Sequence, residues 1–455
     1  MLFFHTPVLM SMDSTATPIW DIPFPAVTIC SENQVRPSSF NYSSYKTRTN
    51  LTEREQETLE YLTLTCEYNS TETKLDYFSS DVLDYIHNGI WERCNETIWN
   101  LSWMTEDVED PCDIIQPVLT PAGACHTFNS LPGDRLYRDY IYSSLHDHAH
   151  QLKSSNDDII WSPDRGFRNK EATNGPPWRT PGGGYGQDAI FLLNLNSQDF
   201  DEACFFGGHG FLVILHSPAE LPTLSHPSTY VHADHLSQIK VIPEIKTTDE
   251  ELRRWDPKLR GCFFEDERPL KYFQFYTEKN CDLECESNAS LSLCGCVPFF
   301  HPRTRDTPVC GPEKFYCYVR GIGKSVDPET TESHHCNCLP SCFEIEYRIS
   351  VANFRRNFST ASGKGFYKDR YPGIIPEDSF AIVTTQYQTQ KVTALMRVAV
   401  FSLSDFIANI GGLLGLFLGF SFLSLFEIVY FCVLRFNKKK PKRVSPSENR
   451  KKLIS

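Results

Sequence analysis

Seventeen cysteines constrain this chain more than any other feature of its sequence. Sixteen of them lie between Cys30 and Cys342, and Cys432 lies outside that stretch. An even set of widely spaced cysteines predicts disulfide bonds, and therefore an oxidising compartment. The chain has 455 residues, of which 40% are hydrophobic, so we expect a large buried core or several subdomains.

N-glycosylation sequons point to the same compartment. One N-x-Ser/Thr triplet arises easily by chance, but this chain has seven, all on the cysteine-rich side of its longest apolar segment. They predict a lumenal or extracellular domain. The acceptor residues are Asn41, Asn50, Asn69, Asn95, Asn100, Asn288 and Asn357.

The apolar segment 407–434 predicts a transmembrane helix. Its 28 residues would extend about 42 Å, beyond the hydrocarbon core of about 30 Å, so the helix must tilt, break or project from the membrane. The last nineteen residues hold eight Lys or Arg and one Glu, a net charge of +7. A basic flank behind an apolar run predicts a cytoplasmic C-terminus rather than nucleic-acid binding.

Small and polar residues inside this segment favour a pore-lining helix over a simple anchor. The small residues are Gly411, Gly415 and Gly419, and the polar ones are Ser421, Ser424 and Glu427. The glycines form a stripe that lets helices approach closely, for which dimerisation of an anchor is the alternative. The polar residues share one half of the helix. A carboxylate costs about 3 kcal/mol at the bilayer centre, so it usually faces water or a partner, unless it snorkels to the interface.

The N-terminus offers no obvious translocation signal. Residues 1–10 are apolar but are interrupted by His5 and Pro7, and they lack a basic region and the length to span a bilayer. We therefore expect either a truncated N-terminus or an unusual isoform.

Local patterns between the ends predict a mixed α+β organisation without internal repeats. Acidic starts predict helices over 51–62 and 81–91, while apolar, β-branched runs predict strands over 210–216, 343–349 and 379–384. The polar, Gly- and Pro-rich stretch 154–187 predicts an exposed loop.

The densest cysteine block, 262–342, holds ten cysteines in 81 residues. A zinc site is the alternative to disulfides, but the C-x-C spacings differ from the usual C-x2-C knuckle. Disulfides are the better interpretation beside so many sequons, although ten cysteines do not reveal their own connectivity.

No catalytic, cofactor or metal site is predicted. His146, His148 and His150 could bind zinc or sense protons near about pH 6.5, but exposed loop histidines are the preferred interpretation, because no acidic or cysteine partner completes a site. The glycine loops 182–186 and 363–365 lack the G-K-[ST] ending of a phosphate loop, and there is no nucleophile elbow or H-E-x-x-H, so we expect no enzyme.

Several motifs occur in an order that is typical of one family. Five segments resemble successive parts of the amiloride-sensitive degenerin/epithelial sodium channels. They are FPAVTIC (24–30), GACHTFN (123–129), the CDLEC and CGCVP of 276–298, CNCLPSC (336–342) and the glycine-rich 411–427. Residues 210–222 most resemble the insect pickpocket branch. The resemblance covers nearly all of 18–435.

The resemblance implies a membrane protein with a large disulfide-rich α+β ectodomain (a mixed β-sheet palm with helical finger and thumb) and a C-terminal transmembrane helix. By comparison with the family, we expect the first transmembrane helix and the N-terminal His-Gly gating motif to be missing from this sequence. The implied domains are a remnant over 1–17, an extracellular domain over 18–405, a thumb ladder over 262–342, a pore-lining helix over 406–435 and a cytoplasmic tail over 436–455.

By the same resemblance, the chain is a subunit of a trimeric, ligand- or mechanically-gated sodium or cation channel of the plasma membrane. Its partners would be identical or related subunits and membrane lipid, and sodium would be the permeant ion. The alternatives are a truncated, non-conducting modulatory subunit and a single-pass cysteine-rich receptor without a pore.

Individual roles also follow from the resemblance. Gly419, Phe420 and Ser421 match the G-x-S selectivity tract, whose middle residue is usually small, so the bulky Phe420 departs from the pattern. Ala408 matches the degenerin gating position and Gly415 a position associated with amiloride block. Glu427 matches the carboxylate of the inner pore.

The resemblance also implies disulfide pairings. Five bridges form the thumb ladder, two match the remaining family bridges, and Cys66 and Cys204 are left as the eighth pair. The pairs are Cys262–Cys342, Cys281–Cys338, Cys285–Cys336, Cys294–Cys317, Cys296–Cys310, Cys30–Cys125, Cys94–Cys112 and Cys66–Cys204.

Overall fold

A computed structural model describes most of the chain. The described residues are 8–67, 75–138, 161–168, 175–196, 199–204, 208–325, 336–355, 380–400, 403–419 and 421–435. They belong to two compact units. The large unit lies within Met10–Val398, and the small unit comprises residues 8–9 with the described residues after Val398.

Two β-sheets organise the large unit. In chain order the strands are β1 (Val8–Pro18), β2 (Ala26–Ser31), β3 (Tyr77–Phe78), β4 (Ile98–Trp103), β5 (Glu106–Asp107), β6 (Ile115–Thr120), β7 (Gly123–Phe128), β8 (Trp161–Ser162), β9 (Gly166–Phe167), β10 (Asp188–Asn194), β11 (Gly210–His216), β12 (Ser228–His232), β13 (His235–Thr248), β14 (Val309–Cys310), β15 (Glu344–Arg355), β16 (Phe380–Tyr387) and β17 (Lys391–Ala399). The larger sheet has the order β1-β17-β13-β16-β10-β4-β5, with β15 also paired to β13. The smaller sheet has the order β12-β11-β2-β7-β6, and β3 with β14 and β8 with β9 form short ladders.

Strand β13 is the centre of the larger sheet. On one side it pairs antiparallel with β15 over twelve positions. On the other side it runs parallel first to β16 and then, from Lys246, to β17. Every second side chain of β13 from Ser237 to Ile245 is buried, as the period of two requires for a strand with one face on a core.

The main core lies where both sheets contribute buried apolar side chains. Phe211 and Val213 of β11 belong to the same buried cluster as Phe191 of β10 and Val241 of β13. Burying side chains of this size contributes roughly 1.5–3 kcal/mol each. The two sheets are therefore held together mainly by apolar burial.

The large unit contains eight α-helices in its described residues, and the small unit contains two. In chain order they are α1 (Tyr42–Lys46), α2 (Glu53–Cys66), α3 (Ser80–Tyr85), α4 (Cys94–Thr97), α5 (Gly133–Leu136), α6 (Pro257–Arg260), α7 (Glu278–Cys294), α8 (Pro312–Ser325), α9 (Leu403–Leu418) and α10 (Phe422–Val429). Short 3₁₀ turns occur at Ile19–Asp21, Pro111–Asp113 and Glu250–Arg254, and π turns at Ile86–Ile90 and Tyr430–Arg435.

The predicted helices are present with shifted bounds. The helix predicted over 51–62 is α2, which begins after Thr52 because that residue forms a capping box with Glu55. The helix predicted over 81–91 is only partly correct. Its first half is α3, and its second half is the π turn Ile86–Ile90, where Trp91 N donates to Ile86 O over 3.2 Å.

The prediction of an exposed loop over 154–187 is wrong for much of its described part. Trp161 is buried, and the Trp178 ring stacks on Phe128 at 5.5 Å between centroids. Trp178 N donates to Asn129 Oδ1 over 2.5 Å, and Phe24 N donates to Trp178 O over 2.9 Å. These bonds satisfy the backbone of an irregular segment, which allows it to pack against the core.

Eight disulfides cross-link the large unit. Seven have the pairings that the family resemblance implies, and the eighth joins the two cysteines that those pairings leave over. Cys262–Cys342 encloses Cys281–Cys338, which in turn encloses Cys285–Cys336. The remaining bridges are Cys294–Cys317, Cys296–Cys310, Cys30–Cys125, Cys94–Cys112 and Cys66–Cys204. Cys432, in the small unit, is a free and exposed thiol.

Candidate functional site

The candidate site is a break between the two helices of the small unit. Helix α9 ends at Leu418, and α10 begins at Phe422. Between them Gly419 has φ +60°, in the left-handed region that glycine adopts without a steric penalty. Ser421 is extended, with φ −106° and ψ 166°. The sequence predicts a transmembrane segment over 406–435 that must tilt, break or project. The structure has a break here, because neither residue continues the helical backbone.

Ser421 begins α10 as its N-cap. Its Oγ accepts a hydrogen bond from Ser424 N at 3.4 Å, and its own backbone N–H donates to Ser424 Oγ at 3.3 Å. This reciprocal pair is a capping box, in which two otherwise unpaired backbone donors are satisfied. The capping role of Ser424 was not predicted, although the S-x-x-S spacing is a signal for it.

The other predicted pore residues occupy both helices. Ala408 and Gly415 lie in α9, seven residues and about two turns apart, so they share one side of that helix. Glu427 lies in α10 and is exposed. Phe420, the middle residue of the predicted selectivity tract, lies outside the described residues.

Both helices present large apolar side chains to their surroundings. Leu416, Phe417 and Leu423 are each at least 75% exposed. Exposed apolar surface of this extent marks a contact with protein or lipid. Across the residues described, the structure contains no helix whose length and apolar character would suffice to cross a membrane.

The predicted glycosylation sites fall on different kinds of surface. Asn41, Asn50 and Asn95 are exposed, and Asn288 is exposed on α7. Asn100 is half-buried, and its Nδ2 donates to Asp107 Oδ1 at 3.4 Å. Two of the predicted acceptors and the histidine cluster lie outside the described residues; they are Asn69, Asn357, His146, His148 and His150.

Comparison with known proteins relates nearly the whole chain to one family. The family model described as amiloride-sensitive sodium channel matches residues 2–431. Pickpocket protein 28 of Drosophila melanogaster is 29% identical over 442 residues, covering 94% of this chain and 70% of that protein.

Other relatives match over shorter lengths. The sodium channel protein Nach of Drosophila virilis is 25% identical over 55% of this chain and 63% of its own length. The bile acid-sensitive ion channel of Homo sapiens is 24% identical over 55% of this chain and 49% of its own length. Because the family model matches nearly the entire sequence, this chain belongs to the amiloride-sensitive sodium channel family.

Proposed function

We propose that this chain is a subunit of a trimeric, amiloride-sensitive sodium channel of the plasma membrane, opened by a ligand or by mechanical force. The observation that carries the proposal is the break between α9 and α10 at Gly419 and Ser421. The last carbonyl groups of a helix have no partner within it, so a break inside an apolar segment leaves backbone oxygens that can replace the water around an ion.

The surroundings of the break support a membrane location. Exposed apolar side chains flank it on both helices, as lipid or neighbouring subunits would require. The basic tail behind α10 favours a cytoplasmic C-terminus. Eight disulfides and four exposed sequons in the large unit favour its extracellular location.

The pore residues take the roles that the family resemblance implies. Gly419, Phe420 and Ser421 form the selectivity tract, and Glu427 supplies the carboxylate of the inner pore. Ala408 lies at the gate, and Gly415 contacts amiloride. The chain acts as an ion channel subunit rather than as an enzyme, with identical or related subunits and membrane lipid as its partners.

Current recordings test this proposal. The chain is expressed in oocytes alone and together with pickpocket protein 28, and sodium current is measured with and without amiloride. We expect Ser421→Ala to change the Na⁺/K⁺ permeability ratio of that current, because it removes the cap beside the selectivity tract. Leu423→Ala is the matched control, since Leu423 is 75% exposed and makes no cap.

The same recordings separate the alternatives. A chain that carries no current but changes the current of the co-expressed relative is a modulatory subunit. A chain that reaches the surface, forms no complex with the relative and carries no current is a receptor without a pore.

A further inference from the structure

A cavity of about 410 Å³ lies in the large unit beside α7 and α8. It is lined by residues of both helices, by the segment Phe299–His301 that connects them, and by the 221–225 loop. Its volume lies within the roughly 300–1,000 Å³ that is usual for small-molecule sites. The cavity is remote in sequence from the pore segment and has no part in the proposed conduction.

Three aromatic rings form one wall of this cavity. Phe300 and Tyr318 have ring centroids 6.4 Å apart, and Phe315 lies 6.5 Å from Phe300 and 5.6 Å from Tyr318. The face of an aromatic ring carries partial negative charge and attracts cations within about 6 Å. The Cys294–Cys317 bridge fixes α8 between Phe315 and Tyr318, so this wall is formed before any ligand arrives.

The charged side chains of the cavity leave one negative charge unbalanced. Asp282 and Glu286 lie four residues apart on α7 and therefore on the same face. Lys279 is the one Lys or Arg among the lining residues, so two carboxylates and one ammonium give a net charge of −1. The Glu286 side chain is 39% exposed, so a ligand can reach it.

The carboxylates are also electrostatically unfavourable as they stand. Burial raises the pKa of Glu286, and the neighbouring Asp282 raises it further. Burial likewise raises the pKa of Asp282, although the neighbouring Lys279 ammonium lowers it. A further positive charge beside Glu286 would offset its desolvation and the repulsion from Asp282.

His301 contributes a buried imidazole to the lining of the cavity. It is 3% exposed, and burial lowers its pKa to about 3, so the imidazole is neutral. Its Nε2 lies 3.3 Å from Tyr318 Oη and 3.6 Å from Glu286 Oε2. Its Nδ1 is buried and has no hydrogen-bond partner within the described chain. A neutral ring beside Glu286 adds no positive charge that would compete with a cationic ligand.

We propose that this cavity binds a small organic cation in which a primary ammonium group is attached to an aromatic body. The ammonium group pairs with Glu286 and Asp282, while the aromatic body packs against Phe300, Phe315 and Tyr318. A metal ion fits less well, because no cluster of three His, Cys, Asp or Glu side chains suited to a metal occurs among the described residues.

Calorimetric titration of the purified full-length chain in detergent tests the proposal. The probe is 2-phenylethylamine, and 2-phenylethanol is the uncharged control of the same shape. We expect one amine per chain, bound about tenfold or more tightly than the alcohol. Because the measurement is of binding, its outcome does not depend on whether the chain conducts.

Variants locate the site. We expect Glu286→Gln to weaken amine binding about tenfold and Asp282→Asn to weaken it severalfold, without affecting the alcohol. Glu313→Gln, an exposed carboxylate on α8 outside the cavity, is the matched control and should leave binding unchanged. Equal affinity for amine and alcohol, the absence of amine binding, or undiminished binding by both cavity variants would overturn the proposal.

Discussion

Tyr387 and Tyr347 donate their hydroxyl hydrogens to one carbonyl oxygen, that of Pro23, over 2.7 and 3.4 Å. The tyrosines belong to β16 and β15 of the larger sheet, whereas Pro23 lies just before β2 of the smaller sheet. Burial raises the pKa of both hydroxyls, so both remain protonated donors. A carbonyl oxygen has two lone pairs and can accept both bonds. This shared acceptor adds a polar connection between the two sheets to the apolar contacts of the core.

Removing the shorter bond should destabilise the fold. We expect Tyr387→Phe to lower the free energy of unfolding by about 1–2 kcal/mol, because a buried acceptor loses its better donor. Tyr347→Phe should cost less, because its bond is longer. The shift of the urea midpoint at constant slope measures both effects. A larger loss for Tyr347→Phe would contradict this ranking.

Glu92 should make stability fall as the pH rises. Burial raises its pKa from 4.5 to about 7, although Asn33 Nδ2 donates to its carboxylate over 2.7 Å. Between these two pH values the native carboxyl keeps a proton that the unfolded chain has lost, so its contribution to stability declines with increasing pH. A glutamine at position 92 cannot ionise, so its contribution to the free energy of unfolding does not decline with increasing pH.

We therefore expect the stability of Glu92→Gln relative to the unmodified chain to increase by roughly 3 kcal/mol between about pH 4.5 and pH 7.5. Thermal unfolding followed by intrinsic fluorescence across this range is the measurement. Glu106→Gln serves as control, because Glu106 is exposed in β5. A constant difference between Glu92→Gln and the unmodified chain would show that Glu92 is ionised in the native state.

Gly419 should tolerate no side chain if the helix break forms the selectivity tract. Alanine at φ +60° costs about 1–2 kcal/mol, so Gly419→Ala favours a continuous helix. We expect sodium current to fall at least about tenfold in this variant. Gly412→Ala is the matched control, since a Cβ there meets no neighbouring atom and the position is helical. Equal currents from Gly419→Ala and Gly412→Ala would show that conduction does not depend on the helix break.

A large side chain at position 408 should hold the proposed pore open. Ala408 is an exposed residue of α9, and we expect Ala408→Phe to give a sustained, amiloride-sensitive current several times the resting current of the unmodified subunit. Ile410→Phe, on the same helix, is the control for added bulk. The measurement is the oocyte current recording described above. An unchanged resting current in Ala408→Phe would show that Ala408 does not lie at the gate.

The sequence predicts elements well where one physical signal is strong. The apolar run Gly210–His216 is β11 with the predicted bounds, because that strand is buried along its whole length. By contrast, β13 is not among the predicted strands, although its buried side chains alternate. Proline is unusual in a central strand, so Pro243 counts against predicting a strand here. The structure shows that β13 accommodates this proline while it pairs with three other strands.

Long-range packing accounts for what the sequence does not predict. The glycine-rich composition of 175–187 does not predict that Trp178 packs against the core. Its hydrogen-bond partners, Phe24 and Asn129, are distant in the chain. The aromatic cavity is likewise absent from the predicted sites. Asp282 and Glu286 have a helical spacing that is visible in the sequence, but Phe300, Phe315 and His301 join them only through the fold.

The outermost rung of the disulfide ladder determines which part of the chain can carry mechanical load. A chain pulled from its two ends transmits tension directly from Cys262 to Cys342 through the sulfur atoms. The two cysteines are 80 residues apart in sequence, and tension bypasses the segment between them. If the bridge is reduced, this segment can extend by roughly 270 Å. Helices α7 and α8 therefore lie off the load path and keep their shape while tension passes through the bridge.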